Sequence, residues 1–292
     1  TVTDQELSEV IEDLMVARNP RNMQDAQAAL TPGYYLRAAQ HLYPARGNII
    51  IGTGFPVVDT FETDGPVGAL ALYEVLELLG NTCWLACAAP LASALADDYQ
   101  ILPLTARDAE AAAIEAQHLL TELKPAAIIS IERPGVTSNG RYYNMRGEDI
   151  SPRCGIFDTY LDLATCPTIA IGDGGNEIGM GNIAHAIKSL DINASVTTCD
   201  ELLVADVSNW AAYGVIAFLS RWHEQDLLAQ RNPLAILQYL SDKGSVDGVT
   251  RVNTLTEDGL PASDGIDLIN ELRSLLGFVD MESTALIDGQ LT

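Results

Sequence analysis

Lysine is nearly missing from this sequence. Of 292 residues only Lys124, Lys188 and Lys243 are lysine, and with 13 arginines they face 40 aspartates and glutamates. The formal charge of −24 and the pI near 4.2 work against nucleic-acid or anionic-membrane partners, whose phosphates would be repelled. The same balance is the pattern of a surface kept hydrated at high salt. Long apolar runs are also absent: none reaches the roughly 18 residues of a membrane span. The stretch from Thr1 to Val16 is acidic and amphipathic, without the basic and apolar regions of a signal peptide. A cytoplasmic protein is expected. The five cysteines (Cys83, Cys87, Cys154, Cys166, Cys199) are odd in number and lack CxxC spacing and partner histidines. That excludes a zinc knuckle or a disulfide framework and leaves buried thiols. Neither His118 nor His185 has a serine or cysteine at a motif spacing for a nucleophile and its base. No repeat, low-complexity tract or proline-rich linker marks a boundary. Residues 1–292 are therefore expected as one domain, the first 45 or so forming a helical lead-in.

What is present is apolar material for a large core, 48% hydrophobic against 19% charged. Short apolar runs alternate with helical periods, which predicts an α/β fold: a mostly parallel sheet flanked by helices. The clearest unit starts at Ile49-Ile50-Ile51, turns at Gly52-Thr53-Gly54, crosses the acidic loop Asp59 to Asp64, and enters a helix opened by Pro66 and closed by Gly80. Further strands are predicted at 82–87, 127–131, 168–171 and 196–199, and helices near 106–123, 151–163, 178–190, 207–222 and 266–276.

In open α/β sheets ligands gather outside the carboxyl ends of strands. Three strand ends join glycine to carboxylate: Gly52-Thr53-Gly54 followed by Asp59, Glu62 and Asp64; Glu132-Arg133-Pro134-Gly135; and Gly172-Asp173-Gly174-Gly175-Asn176-Glu177. Glycines let the backbone approach a ligand, and carboxylates supply the hard oxygens that divalent cations prefer. Asp64, Glu132, Asp173 and Glu177 are the candidate metal ligands; gathered in one cleft they would repel strongly without a cation or protonation. The metal class is Mg²⁺ or Mn²⁺, with Ca²⁺ also open. Asp64 could instead cap the helix at Pro66, and Asp247 in Val246-Asp247-Gly248 reads equally as a turn or as a further carboxylate. The stretch from Glu132 to Asp149 holds Arg133, Arg141 and Arg146, which suggests a loop that meets a small anionic substrate.

Six ordered motifs carry a family likeness: IGTGFPV (Ile51 to Val57), ETDGPVGALAL (Glu62 to Leu72), SIERPG (Ser130 to Gly135), YNMRGEDIS (Tyr143 to Ser151), IGDGGNEIGMGN (Ile171 to Asn182) and VDGVT (Val246 to Thr250). Together they resemble the D-glutamate cyclase family, in particular the C-terminal domain of its eukaryotic member. The resemblance implies conversion of D-glutamate to 5-oxo-D-proline with loss of water, and a divalent-metal site among acidic residues. On that reading Glu132 or Glu177 takes the amine proton and Arg133 or Arg146 holds the α-carboxylate. Thr53, Gly54, Asn144, Gly174, Gly175, Asn176 and Asn182 complete the expected substrate contacts.

The same glycine loop is similar to the GDGxND element of haloacid-dehalogenase-type phosphatases. Their aspartyl nucleophile would fall at Glu62, where the extra methylene misplaces in-line attack. A metal-dependent phosphohydrolase using water as nucleophile stays open, as does a non-catalytic ligand-binding module. Sequence leaves the oligomeric state undetermined.

Overall fold

Three helices, α1 (Asp4–Met15), α2 (Met23–Ala29) and α3 (Tyr34–Leu42), precede the central strand β1 (Asn48–Thr53) in the computed structural model, which describes residues 2–280. A short hairpin follows, β2 (Pro56–Val57) and β3 (Thr60–Phe61), and then α4 (Pro66–Leu78), β4 (Thr82–Cys87), α5 (Leu91–Leu95), β5 (Ile101–Pro103), α6 (Ala109–Leu123) and β6 (Ala127–Ile131). The second half comprises α7 (Asp158–Asp162), β7 (Thr168–Gly172), α8 (Ala184–Ile187), β8 (Glu201–Val204), α9 (Ser208–His223) and α10 (Pro233–Asp242). It ends with the hairpin β9 (Thr256–Glu257) and β10 (Leu260–Pro261) and with α11 (Ala262–Leu275).

Six strands form an all-parallel sheet in the order β5-β4-β1-β6-β7-β8. Counted along the chain, that is the doubly wound order 3-2-1-4-5-6, whose direction reverses between β1 and β6. Ile49, Ile50 and Ile51 are fully buried and pair with Cys83 to Leu85 on one side and Ala127 to Ile129 on the other. Burial on both faces explains why these strands read as continuous apolar runs instead of alternating ones. Helices α4 and α9 pack on each other and over β1, β6, β7 and β8, while α1, α3, α10 and α11 build outward from them. One hydrophobic cluster runs through all these layers. Among the described residues all five cysteines are free thiols, and no helix is long and apolar enough to cross a membrane.

The sequence-based outline needs three corrections. Residues 196–199 form no strand, and the edge strand is Glu201–Val204. The earlier segment spends its backbone on loops instead: Val196 N–H donates to Val136, and Thr197 C=O accepts from both Gly179 and Gly181. The helix expected at 151–163 is broken by Pro152 and Gly155 into a 3₁₀ turn at Ser151–Arg153 and the short α7. The helix expected at 178–190 is likewise a 3₁₀ turn, Met180–Ile183, followed by α8. Helix α10 was not anticipated, although Asn232 capping Ala235 N–H and Pro233 at the first turn are ordinary start signals.

Helices α4 and α9 cap each other. Asn209 Oδ1 accepts from Gly65 N–H (2.7 Å) and Gly68 N–H (2.8 Å) at the start of α4. In return Asp64 accepts from Asn209 N–H (3.0 Å) and Ser208 N–H (3.4 Å) at the start of α9. Asp64 therefore caps α9 and not the helix it precedes. Gly65 makes the exchange possible with φ of +108°, a backbone state that side chains rarely adopt. Asn209→Ala would orphan two buried N–H groups, each worth about 1–3 kcal/mol. A stability loss of about 2–4 kcal/mol is expected in urea unfolding, and a loss below about 0.5 kcal/mol would show that the capping exchange contributes nothing.

Candidate functional site

The strand-order reversal puts the loops after β1 and β6 on either side of one crevice, and the loop after β7 closes its floor. This crevice is a cleft of about 610 Å³ lined by Glu62, Glu132, Asp173 and Asp258, with Arg21, Asn144, Arg146, Asn176 and Arg251 among the polar groups around it. Asp64 lies just beneath. Glu62, Asp64 and Glu132 place carboxylate oxygens within 4.8 Å of one another, and so do Asp64, Asp173 and Asp258, and Glu132, Asp173 and Glu177. Acids from four separate stretches of chain thus converge. The N-terminus of α9 sits among them: Ser208 N–H donates to Asp173 (3.2 Å) as well as to Asp64, and the Ser208 hydroxyl donates to Glu132. The positive end of the helix dipole stabilises that negative charge.

One cation comes from the lead-in. Asp206, just past β8, accepts from Arg18 N–H (2.9 Å) and Asn19 N–H (3.0 Å) and donates its own N–H to Met15 C=O (2.7 Å), which pins the α1–α2 turn to the sheet. Arg21 then reaches in. Its Nε donates to Asp173 C=O (3.0 Å) and lies 3.5 Å from the Asp173 carboxylate; its Nη2 pairs with Asp258 (2.9 Å) and donates to Asp206 C=O.

A single guanidinium does not neutralise this cluster. Burial, and then the charges of neighbouring acids, pushes Glu62, Asp64, Glu132 and Asp258 well above the usual carboxylate range. Asp173 is also pushed up by burial, but Arg21 and its hydrogen bonds outweigh that and hold it below its ordinary value. For the four raised acids the folded state binds more protons than the unfolded state at pH values above about 4. Metal-free protein is therefore expected to lose stability as pH rises from about 5 to 8, with Asp173 opposing weakly at the acid end. Urea midpoints across that range check this, and a midpoint that rose with pH would contradict it.

Strain concentrates here too. Of the eight non-glycine residues with positive φ among those described, Val58, Glu132, Arg251 and Asp258 line this cleft. Such conformations cost about 1–3 kcal/mol each and cluster at functional sites. Asp258-Gly259 forms the two-residue turn of the β9–β10 hairpin with both φ positive (50° and 78°), the arrangement that Asp-Gly favours.

The expected site residues divide. Glu132, Asp173, Asn144, Arg146 and Asn176 line the cleft, while Asp64 and Glu177 lie under it. Glu177 is fully buried and folds back to accept from the N–H groups of Asp173, Gly174 and Gly175. The glycine N–H groups at 174 and 175 therefore point at Glu177 and not at a ligand. Gly172 permits this, because a Cβ there would sit 2.8 Å from the Glu177 carboxylate. Arg133 is buried, donating to Gly54 C=O (3.0 Å) and Gly155 C=O, so its guanidinium clasps two loops. The Thr53 hydroxyl is turned to Ile131 C=O (3.1 Å), and Asn182 pairs with Cys199 away from the cleft. Arg141 pairs with Asp149 on the surface, and Asp247 is a turn, its carboxylate accepting from Val249, Thr250, Thr256 and Gly259. Arg21, Ser208, Arg251 and Asp258 were not anticipated, although Asp258-Gly259 carries a hairpin-turn signal.

The donor set is oxygen-only and mostly buried, with one guanidinium against six cleft-facing or cleft-adjacent acids, which fits a hard divalent cation.

Comparison with known proteins agrees with the motifs. Residues 11–273 match the family described as D-glutamate cyclase-like, C-terminal. The human mitochondrial D-glutamate cyclase is 32% identical over 212 residues, which are 63% of this chain and 34% of that protein, so the chain spans about a third of its relative. Among solved structures, an exopolyphosphatase-related protein from Bacteroides fragilis superposes with a TM-score of 0.42 at 10% identity over 89% of this chain and 64% of the other, a likeness that bears on neither fold nor function. The chain belongs to the D-glutamate cyclase family, matching its C-terminal part.

Proposed function

We propose that this chain is an enzyme of D-glutamate cyclase-like type. It would close D-glutamate, or a close acidic analogue, to 5-oxo-D-proline with loss of water. The observation that carries the reading is the convergence of buried carboxylates from four chain segments beside Arg146 and Asn144 in one cleft; family membership supplies the substrate class. In the reaction the α-nitrogen bonds to the carboxyl carbon of the side chain (Cδ), one C–O bond of that carboxylate breaks, and that oxygen leaves as water with two protons from the ammonium group.

Glu62, Asp64 and Glu132 would hold a divalent cation, since Arg21 already occupies the Asp173–Asp258 side. Such a cation would neutralise the γ-carboxylate and stabilise negative charge on its oxygen. Glu132 is the group placed to move protons: it lines the cleft, it accepts from the Ser208 hydroxyl, and burial raises its affinity for a proton. Arg146 keeps free N–H groups beyond its bond to Val249 C=O (3.1 Å) and is the natural clamp for the α-carboxylate. Asn144 shapes that turn by accepting from Arg146 and Glu148 N–H groups.

Purified protein assayed with D- and L-glutamate, with Mg²⁺ or Mn²⁺ and after chelation, should give metal-dependent 5-oxoproline from the D-isomer. Phosphate release from a phosphoester panel, with no lactam under any metal, would move the assignment to a phosphohydrolase. Ligand-induced thermal stabilisation without product would mark a binding module.

A further inference from the structure

A second cavity, about 1050 Å³, opens outside the carboxyl ends of β4 and β5 and meets the acid cleft at Pro56, Asp59 and Arg153, which line both. Its walls are largely apolar, with Trp84, Tyr99 and Leu104 among them, and Asp59 at the junction is its one carboxylate. The Trp84 ring is fixed by its indole N–H, which donates to Asn48 (3.0 Å), and Tyr99 is held edge-on to Tyr73 at 5.1 Å. A volume of this order suits a small-molecule site with a few polar anchors.

The arginines give the cavity its sign. Eleven of the 13 have the guanidinium engaged by a carboxylate or a backbone carbonyl. The remaining two, Arg107 and Arg153, make no side-chain hydrogen bond or ion pair among the described residues, and both line this cavity. In a chain with 40 acids, two uncommitted guanidinium groups on one apolar cavity are a charge complement awaiting an anion. β4 and β5 lie on one side of the switch point between β1 and β6, so this cavity adjoins the acid cleft.

We propose that this cavity binds a planar organic anion, an aryl or heteroaryl group carrying a carboxylate or phosphate, with its ring against Trp84 and Tyr99 and its charge at Arg107 and Arg153. The site is distinct from the acid cluster and stands whether or not D-glutamate is the substrate. Calorimetry on the full chain with 1-naphthoate, 1-naphthyl phosphate, neutral 1-naphthol and inorganic phosphate tests it. At least one naphthyl anion is expected to bind tenfold or more tighter than naphthol and than phosphate alone, and the tighter anion identifies the charged group. The Arg107→Ala/Arg153→Ala double variant should lose at least tenfold for that anion and nothing for naphthol. Both side chains are exposed and unpartnered, so an unchanged melting temperature is expected and serves as the folding control. Trp84→Phe should abolish the tryptophan quenching that accompanies binding. Equal anion affinity in wild type and double variant would overturn the proposal. So would naphthol binding as tightly as the anions, or a stable homodimer that buries the cavity and excludes every probe.

Discussion

Arg21→Ala is expected to destabilise the metal-free protein by about 3–5 kcal/mol, the usual result of removing one partner from a buried ion pair. The variant would leave Asp173 and Asp258 facing Asp64 and Glu132 without the guanidinium that now lies 3.5 Å and 2.9 Å from the first two. It would also orphan the carbonyls of Asp173 and Asp206. Part of that loss should return on adding millimolar Mg²⁺ or Mn²⁺, because a divalent ion can stand where the side chain stood. Arg21→Lys should recover less than half, since an ammonium is a point charge and cannot span Asp173, Asp206 and Asp258 at once. Urea titrations with and without metal separate these outcomes. A loss below about 1 kcal/mol in chelator would show that the acids manage their repulsion by protonation alone, with Arg21 a bystander.

Arg21 also marks the limit of what was legible in the sequence. It lies in a turn between helices, where no periodicity operates, and it meets partners 152 and 237 residues away. Only the tertiary fold brings these together. Glu132 and Asp173 were legible for the opposite reason: both directly follow apolar strands, and the carboxyl ends of parallel strands face one crevice whatever the loops do. Isoleucine and alanine runs buried on both sheet faces identified β1, β6 and β7. Residues 196–199 misled because Val-Thr-Thr-Cys has strand composition, while its backbone groups brace Val136, Gly179 and Gly181; composition reports side-chain preference and not where hydrogen bonds go. Arg133 and Glu177 are a subtler case. Both lie at the site as expected, but they are turned inward to hold its loops, a distinction set by side-chain direction alone.

That distinction yields the second large effect, a contrast between two glutamates that sequence could not tell apart. Glu132→Gln should lower turnover by about 10²–10⁴-fold, the range for losing a general acid–base group. Its stability should hold or rise, because a neutral amide replaces a buried acid whose charged form burial disfavours. Glu177→Gln should do the reverse. The Glu177 carboxylate uses one oxygen for Asp173 and Gly174 N–H and the other for Gly175 N–H (2.6 Å). An amide offers a single acceptor and turns an NH₂ group against the remaining N–H. At about 1.5–3 kcal/mol per hydrogen bond to a charged group, the loss should be about 2–4 kcal/mol, lowering the melting temperature by about 5–15 °C. Any turnover defect in Glu177→Gln should then shrink on cooling, as the 172–177 loop regains its fold, whereas the Glu132→Gln defect should persist at every temperature. Matched melting curves and turnover numbers for the two variants decide it. If Glu177→Gln melted like the wild type and Glu132→Gln turned over normally, the assignment of proton transfer to Glu132 and loop closure to Glu177 would have to be exchanged.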